Sequence, residues 1–154
     1  MKKKILLSIG IIAALVLVLN IAWFGWSGWK YSNYIGGMEK TIFSTFVTKR
    51  YAVTDEDGFT YAVKYPDYLS LTGNLSIGMP AEGDNPYTDA LIIWPRFSGE
   101  YSYGLLLYDE IDAYQIEIDS QGNALDHTYD SVMEQHREHI DTLLEKTEAK
   151  WELK

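Results

Sequence analysis

No cysteine occurs anywhere in the 154 residues. Its absence excludes disulfide cross-links, thiolate nucleophiles, thiolate metal sites and a lipid attached through a signal-adjacent cysteine, so folded stability has to come from packing. A serine nucleophile elbow, a phosphate-cradling glycine loop and a dinucleotide fingerprint are absent as well. Positive charge is scarce: 13 Lys and Arg stand against 22 Asp and Glu, a net charge of −9. Every acid lies beyond Lys30, whereas Lys2, Lys3 and Lys4 precede it, so the outer part of the chain is more acidic than the whole. Such a surface repels nucleic-acid phosphates and anionic lipid headgroups alike, and no nucleic-acid partner is expected.

Charge is missing altogether from Ile5 to Trp29, 25 residues. As a helix, Ile5 to Trp26 reaches about 33 Å, enough for the roughly 30 Å hydrocarbon core of a bilayer. The chain is therefore expected to begin as a membrane anchor, with the membrane as its first partner. Lys2, Lys3 and Lys4 favour a cytoplasmic N-terminus, which sends everything after Lys30 outside. Trp23, Phe24, Trp26, Trp29, Tyr31 and Tyr34 cluster where the helix leaves lipid, and amphipathic rings suit that headgroup layer. The competing reading is a cleaved export signal and a secreted domain. Against it, the best exit triplet, Gly25-Trp26-Ser27, is hemmed in by tryptophans, and the apolar run exceeds what a signal core needs. Gly10 and Ala14 form a single small-xxx-small pair, too little to carry a helix dimer.

The remaining residues suit one domain. Their pattern predicts a tether over 30–37, loosened by Gly36-Gly37. Residues 38–48 are ambiguous: Met38, Ile42 and Phe46 recur at helical spacing, yet β-branched residues crowd the segment, and the reading leans to a short helix passing into a strand near Lys49. Arg50–Thr54 and Phe59–Tyr65 flank Asp55-Glu56-Asp57-Gly58, a turn signal, and make a hairpin. Leu69, Leu71, Leu75, Ile77 and Met79 alternate with polar residues and predict a strand, with Gly73 as a bulge or a turn. Pro80–Thr88 reads as a loop, and Ala90–Trp94 as a strand at the sheet centre or covered on both faces. Tyr101–Tyr108 and Ala113–Asp119 follow as strands, and Asp119-Ser120-Gln121-Gly122 repeats the Asp-x-x-Gly turn into a returning strand at 123–125. Ser131 with Glu134 is a capping-box pattern, with Asp126, Thr128 or Asp130 as earlier starts. Val132, His136, Ile140, Leu143, Leu144, Thr147 and Trp151 then form one stripe of a closing helix.

The expected fold class is α+β: one N-terminal transmembrane helix, then a small, mainly antiparallel sheet domain with a C-terminal helix packed on one face. The domains are 1–29, cytoplasmic tip and anchor; 30–37, juxtamembrane tether; and 38–154, the extracytoplasmic unit.

Chemistry is thinly signalled. His136 and His139 share a helix face, but their spacing and the order of Glu138 differ from the zinc-protease helix, and His136 lies on the apolar stripe, so His136 is read as a packed or boundary residue and no metal site is expected. His127 stands in an acidic neighbourhood with no defined role. Asp55–Gly58 and Glu117–Gly122 resemble calcium loops only in composition, because the closing Glu at position twelve is missing from both. No cofactor is implied. The weak binding candidates are Trp94, Arg96, Tyr101 and Tyr103, rings and a guanidinium able to stack on sugars or grip a peptide strand. Lys2, Lys3, Lys4, Trp23, Trp26 and Trp29 are assigned to membrane orientation and the interface. The expected function is a membrane-anchored accessory or binding module, not catalytic, with a protein or an envelope polymer as partner. An envelope hydrolase and a small structural subunit of a membrane complex are the alternatives.

Overall fold

The structure, a computed structural model, describes residues 2–45, 47–81, 83, 87–109 and 112–153. Its first element is a single helix, α1 (Lys2–Ser32). This helix is long and apolar enough to cross a membrane, and none of its most apolar stretch is covered by the rest of the chain. Seven strands follow: β1 (Glu39–Lys40), β2 (Arg50–Thr54), β3 (Thr60–Lys64), β4 (Asn74–Gly78), β5 (Ala90–Pro95), β6 (Tyr101–Tyr108) and β7 (Ala113–Ile118). They form one antiparallel sheet in chain order, so every strand lies beside its sequence neighbour. A 3-10 turn (His127–Tyr129), α2 (Asp130–Gln135) and α3 (Arg137–Trp151) close the chain. The fold is thus α+β, an N-terminal helix followed by an antiparallel sheet and C-terminal helices.

Register decides which face is buried, because side chains alternate along a strand. Val63 pairs with Leu75, Leu75 with Ile93, Leu91 with Leu105, and Leu105 with Ile116, which sets the aliphatic residues on one face. These residues are buried together with Met133, Ile140 and Leu143 from the closing helices. Each such side chain contributes roughly 1.5–3 kcal/mol on leaving water. The helical stripe turns slightly from the expected one: Met133 and Leu143 are fully covered, whereas Val132 and Leu144 pack at its margin. Trp151 docks the chain end, its indole N–H donating to the Tyr34 carbonyl at 3.0 Å and its ring standing edge-on to Tyr61.

The two Asp-x-x-Gly turns form as the sequence predicts. Gly58 and Gly122 take positive φ, and each donates its N–H to the carbonyl of the Asp three residues earlier. Five local expectations need correction. Residues 39–40 form β1 by pairing with β2, and no helix forms over 38–45, where the Ser44 N–H closes a turn on the Thr41 carbonyl; Phe46 lies outside the described residues. The strand expected from Leu69 begins only at Asn74. Gly73 is neither bulge nor hairpin turn: it lies so close to the β3 exit that a Cβ would fall 2.1 Å from the Lys64 carbonyl. The return at 123–125 is a single bridge, Ile118 to Ala124, rather than a strand. Ser131 and Glu134 form no capping box, since Asp126 caps the preceding 3-10 turn by accepting from the Thr128 N–H, and α2 starts from Tyr129 with no side-chain cap. In the loop at 80–88, residues 82 and 84–86 lie outside the described ones.

The segment expected as a tether is built into the domain. Helix α1 continues to Ser32, and Tyr31 is wholly buried in the sheet's core, its hydroxyl accepting the Gly73 N–H at 2.7 Å. Lys30 donates to the carbonyls of Pro95 at 3.2 Å and Arg96 at 2.7 Å.

Candidate functional site

Two groups of side chains gather at opposite ends of β5. Asp89 precedes the strand and Pro95 ends it, so the groups are about 20 Å apart along the chain direction.

At the first end, Asp89 is carried into the core margin by the apolar run that follows it, its side chain only 5% exposed. The α2–α3 junction brings two imidazoles onto the same carboxylate oxygen. His136 and His139 each place Nδ1 at 2.7 Å from Asp89 Oδ2, while Oδ1 accepts the Tyr108 N–H at 2.8 Å. His136 is 10% exposed and His139 46%. A carboxylate oxygen has no proton to give here, so both Nδ1 atoms donate. Burial works to raise the Asp89 pKa, but the hydrogen bonds from His139, the Tyr108 N–H and His136 outweigh it. The carboxyl is held below its ordinary value and is anionic at neutral pH.

Asp89, His136 and His139 also have the composition of a metal cup, with donor atoms within 4.8 Å of one another. Their spacing argues for a hydrogen-bonded clip instead. An ion about 2.0–2.2 Å from each donor holds donors about 3 Å or more apart, and these contacts are 2.7 Å. Metal on Nδ1 would also move the ring proton to Nε2, and in His136 that atom is buried without a partner among the described residues. The cluster fastens the closing helices to the ends of β5 and β6, with the His139 ring half exposed.

At the second end, Trp94, Arg96, Tyr101 and Tyr103 all border a groove of about 590 Å³, together with Glu117, Asp119 and Ser120. Register divides them: Trp94, Ser102 and Glu117 stand on the outer face of the sheet, whereas Tyr101 and Tyr103 turn toward the core face. That volume suits a small ligand or a few units of a polymer. The Trp94 indole lies against Gly104, where an added Cβ would stand 2.9 Å from the ring, so the glycine lets the ring lie flat on β6. The Arg96 guanidinium is oriented by a hydrogen bond to the Ser102 hydroxyl. Burial, and then neighbouring Tyr101, push the Tyr103 hydroxyl pKa up, so it stays a neutral donor. The groove is therefore bordered by aromatic residues, one fixed cation, serine hydroxyls and two carboxylates, that of Asp119 also holding its own turn through Gln121 and Asn123.

The remaining assigned residues divide. Trp23 is buried against the 66–73 loop, its indole N–H donating to the Ser70 carbonyl at 2.8 Å, and Trp26 meets the Phe97 ring. Trp29 points outward, as do Lys3 and Lys4 at the far end of α1. For Lys2 only the helical backbone is described. His127 stays on the surface beside Asp130. Asp89 escaped the sequence reading altogether; an acid directly preceding a continuous apolar strand was the one signal that it would be buried.

Comparison with known protein families, with curated proteins and with solved structures finds no match to this chain.

Proposed function

We propose that the chain is a single-pass membrane protein, N-terminus in the cytoplasm, whose outer domain is a non-catalytic binding module. One observation carries both halves of the reading. The binding groove adjoins the end of the apolar helix, because Lys30 of α1 holds the Arg96 carbonyl and Arg96 lines the groove. A ligand in the groove would be held within a few residues of where the chain leaves the bilayer. Its aromatic faces stack on sugar rings, and Glu117 and Asp119 accept sugar hydroxyls. An envelope polymer is the ligand class this chemistry favours.

Calorimetric titration of the full-length protein in detergent with soluble wall-glycan fragments tests the reading. Binding that Trp94→Ala and Arg96→Ala both abolish is expected. Binding unaffected by either change, or binding of an extended peptide and no glycan, would overturn it.

The envelope-hydrolase reading has one observation behind it, the Asp89–His139 pair, in which a buried carboxylate holds a half-exposed imidazole through Nδ1, the arrangement of a general base. It ranks second because the groove with the stacking rings lies at the opposite end of β5. Turnover of wall polymer that His139→Gln abolishes and Trp94→Ala leaves intact would reverse the ranking.

A further inference from the structure

Leu69, Leu71 and Phe97 break the pattern of an apolar inside and a polar outside. Leu69 is 60% and Phe97 72% exposed, and Leu69 holds a left-handed backbone with φ of 62° at a loop tip. Scattered singly they would need no account. They are not scattered: each sits on a loop that runs beside α1. The loop at 66–73 reaches down the helix as far as Asn20, where the Tyr68 hydroxyl donates to the Asn20 side-chain carbonyl. Its Ser70 carbonyl takes the Trp23 indole N–H, and Tyr68 packs on the rings of Trp23 and Phe24. The β5–β6 tip lays Phe97 against Trp26.

Helix arithmetic then fixes the depth. A hydrocarbon core of about 30 Å takes about 20 helical residues, and counted from Ile5 these end at Phe24. To stay outside it, the 66–73 loop would need the core to end before Asn20, after about 24 Å of helix. Asn20 itself is a polar side chain in the apolar run, and such a group needs a partner where water is absent. It has two: its amide donates to the Val16 carbonyl at 2.8 Å, and its oxygen accepts from Tyr68.

We infer that the 66–73 loop and the β5–β6 tip are inserted, with Tyr68, Leu69 and Phe97 leading, into the bilayer leaflet at the C-terminal end of α1. The domain is then seated in the membrane surface and does not swing on a tether. Lys30 and Arg96 fall just above these residues, at the height of lipid phosphates, together with Asp67, whose charge is paired with Lys64 at 2.6 Å, and Glu100 just before β6; the acidic groups of the β2–β3 turn lie at the other end of the strands. The occupant of this apolar surface is lipid, and the inference rests on the reading of α1 as a membrane span.

Because the chain has no cysteine, single-cysteine variants can be labelled cleanly. Full-length Leu69→Cys, Phe97→Cys, Leu15→Cys and Glu56→Cys are labelled with an environment-sensitive nitrobenzoxadiazole dye in phosphatidylcholine nanodiscs, with and without doxyl-labelled lipid. Labels at 69 and 97 should show blue-shifted emission and quenching approaching that at 15, with the label at 56 unquenched. If 15 is quenched while 69 and 97 behave like 56, the seating is wrong and the anchor stands. If 15 also behaves like 56, the anchor reading fails and takes the seating with it. Hydroxyl-radical labelling of Tyr68 in the unsubstituted protein gives an answer free of any substitution. Protection in nanodiscs equal to that of buried Tyr61 is expected, and labelling as heavy as at solvent-facing Tyr87 would overturn the inference.

Discussion

Asp89→Ala should be among the most damaging single changes outside the aliphatic core. The substitution removes three acceptor contacts at 2.7, 2.7 and 2.8 Å and leaves a backbone N–H at Tyr108 and a nearly covered imidazole at His136 without their acceptor. His139, half exposed, turns to water and loses little. Hydrogen bonds to a charged group are worth about 1.5–3 kcal/mol, and two of the three are sheltered; relief of the carboxylate's desolvation returns part of the loss. The expected net cost is about 2–4 kcal/mol, a large share of a total near 5–15. Asp89→Asn keeps the volume but accepts weakly and adds donors that face the imidazoles, so it should retain only part of the stability. Urea unfolding of the full-length protein in micelles, followed by near-ultraviolet circular dichroism, reads this as a lower midpoint at unchanged slope. Acid supplies the second arm. The folded carboxyl is held below its ordinary value, so its contribution is present above the unfolded pKa near 3.9 and is lost as pH falls through the lower folded value. The parent should lose that increment on acidification and Asp89→Ala should not. An Asp89→Ala midpoint equal to the parent's, or identical acid profiles, would refute the clip.

Three further outcomes follow from the same structure. Leu143→Ala, in the core, should cost about 2–5 kcal/mol in the same unfolding assay, whereas Glu145→Ala on the exposed face should change the midpoint little. Tyr31→Phe removes the acceptor of the buried Gly73 N–H and should cost about 1–3 kcal/mol, together with faster hydrogen exchange at Gly73, because the end of α1 is part of the core. If Asp89, His136 and His139 form a clip and not a metal cup, the purified protein should take up no stoichiometric zinc, by elemental analysis after dialysis against the metal; zinc lost with His136→Ala would require the site to be read again.

What the sequence revealed and hid follows the distance over which each interaction acts. The turns at Asp55–Gly58 and Asp119–Gly122 were legible because Asp and Gly close them within four residues. The sheet face was legible wherever alternation met aliphatic burial, as in Leu75 with Ile77 and Ile116 with Ile118, whereas the unbroken run at 90–94 hid which of its residues face the core. The same alternation misled at Leu69 and Leu71, since parity records that a residue avoids water and not what covers it. The packing of Tyr31 against Gly73, 42 residues away, left no local trace beyond the ring itself. Asp89 was hidden for the same reason, its histidine partners lying 47 and 50 residues on. His136 and His139 stand out in the sequence as a pair on one helix face, but the buried anion that joins them does not. Ser131 and Glu134 carried the sequence mark of a cap, but a 3-10 turn capped by Asp126 takes that place. The groove was half visible: Trp94, Arg96, Tyr101 and Tyr103 are close in sequence, whereas Glu117 and Asp119 join them only through the β6–β7 pairing.

The account stands on the helix being a membrane span with the domain beyond it, and a topology reporter reads that directly. An enzyme active only outside the cytoplasm, fused after Lys154 of the full chain, should be active, should remain with the membranes through a high-salt wash, and should lose part of its bias when Lys2, Lys3 and Lys4 are changed to Glu. A fusion active only in the cytoplasmic orientation, or a mature chain recovered in the soluble fraction with its N-terminus near Gly28, would contradict it.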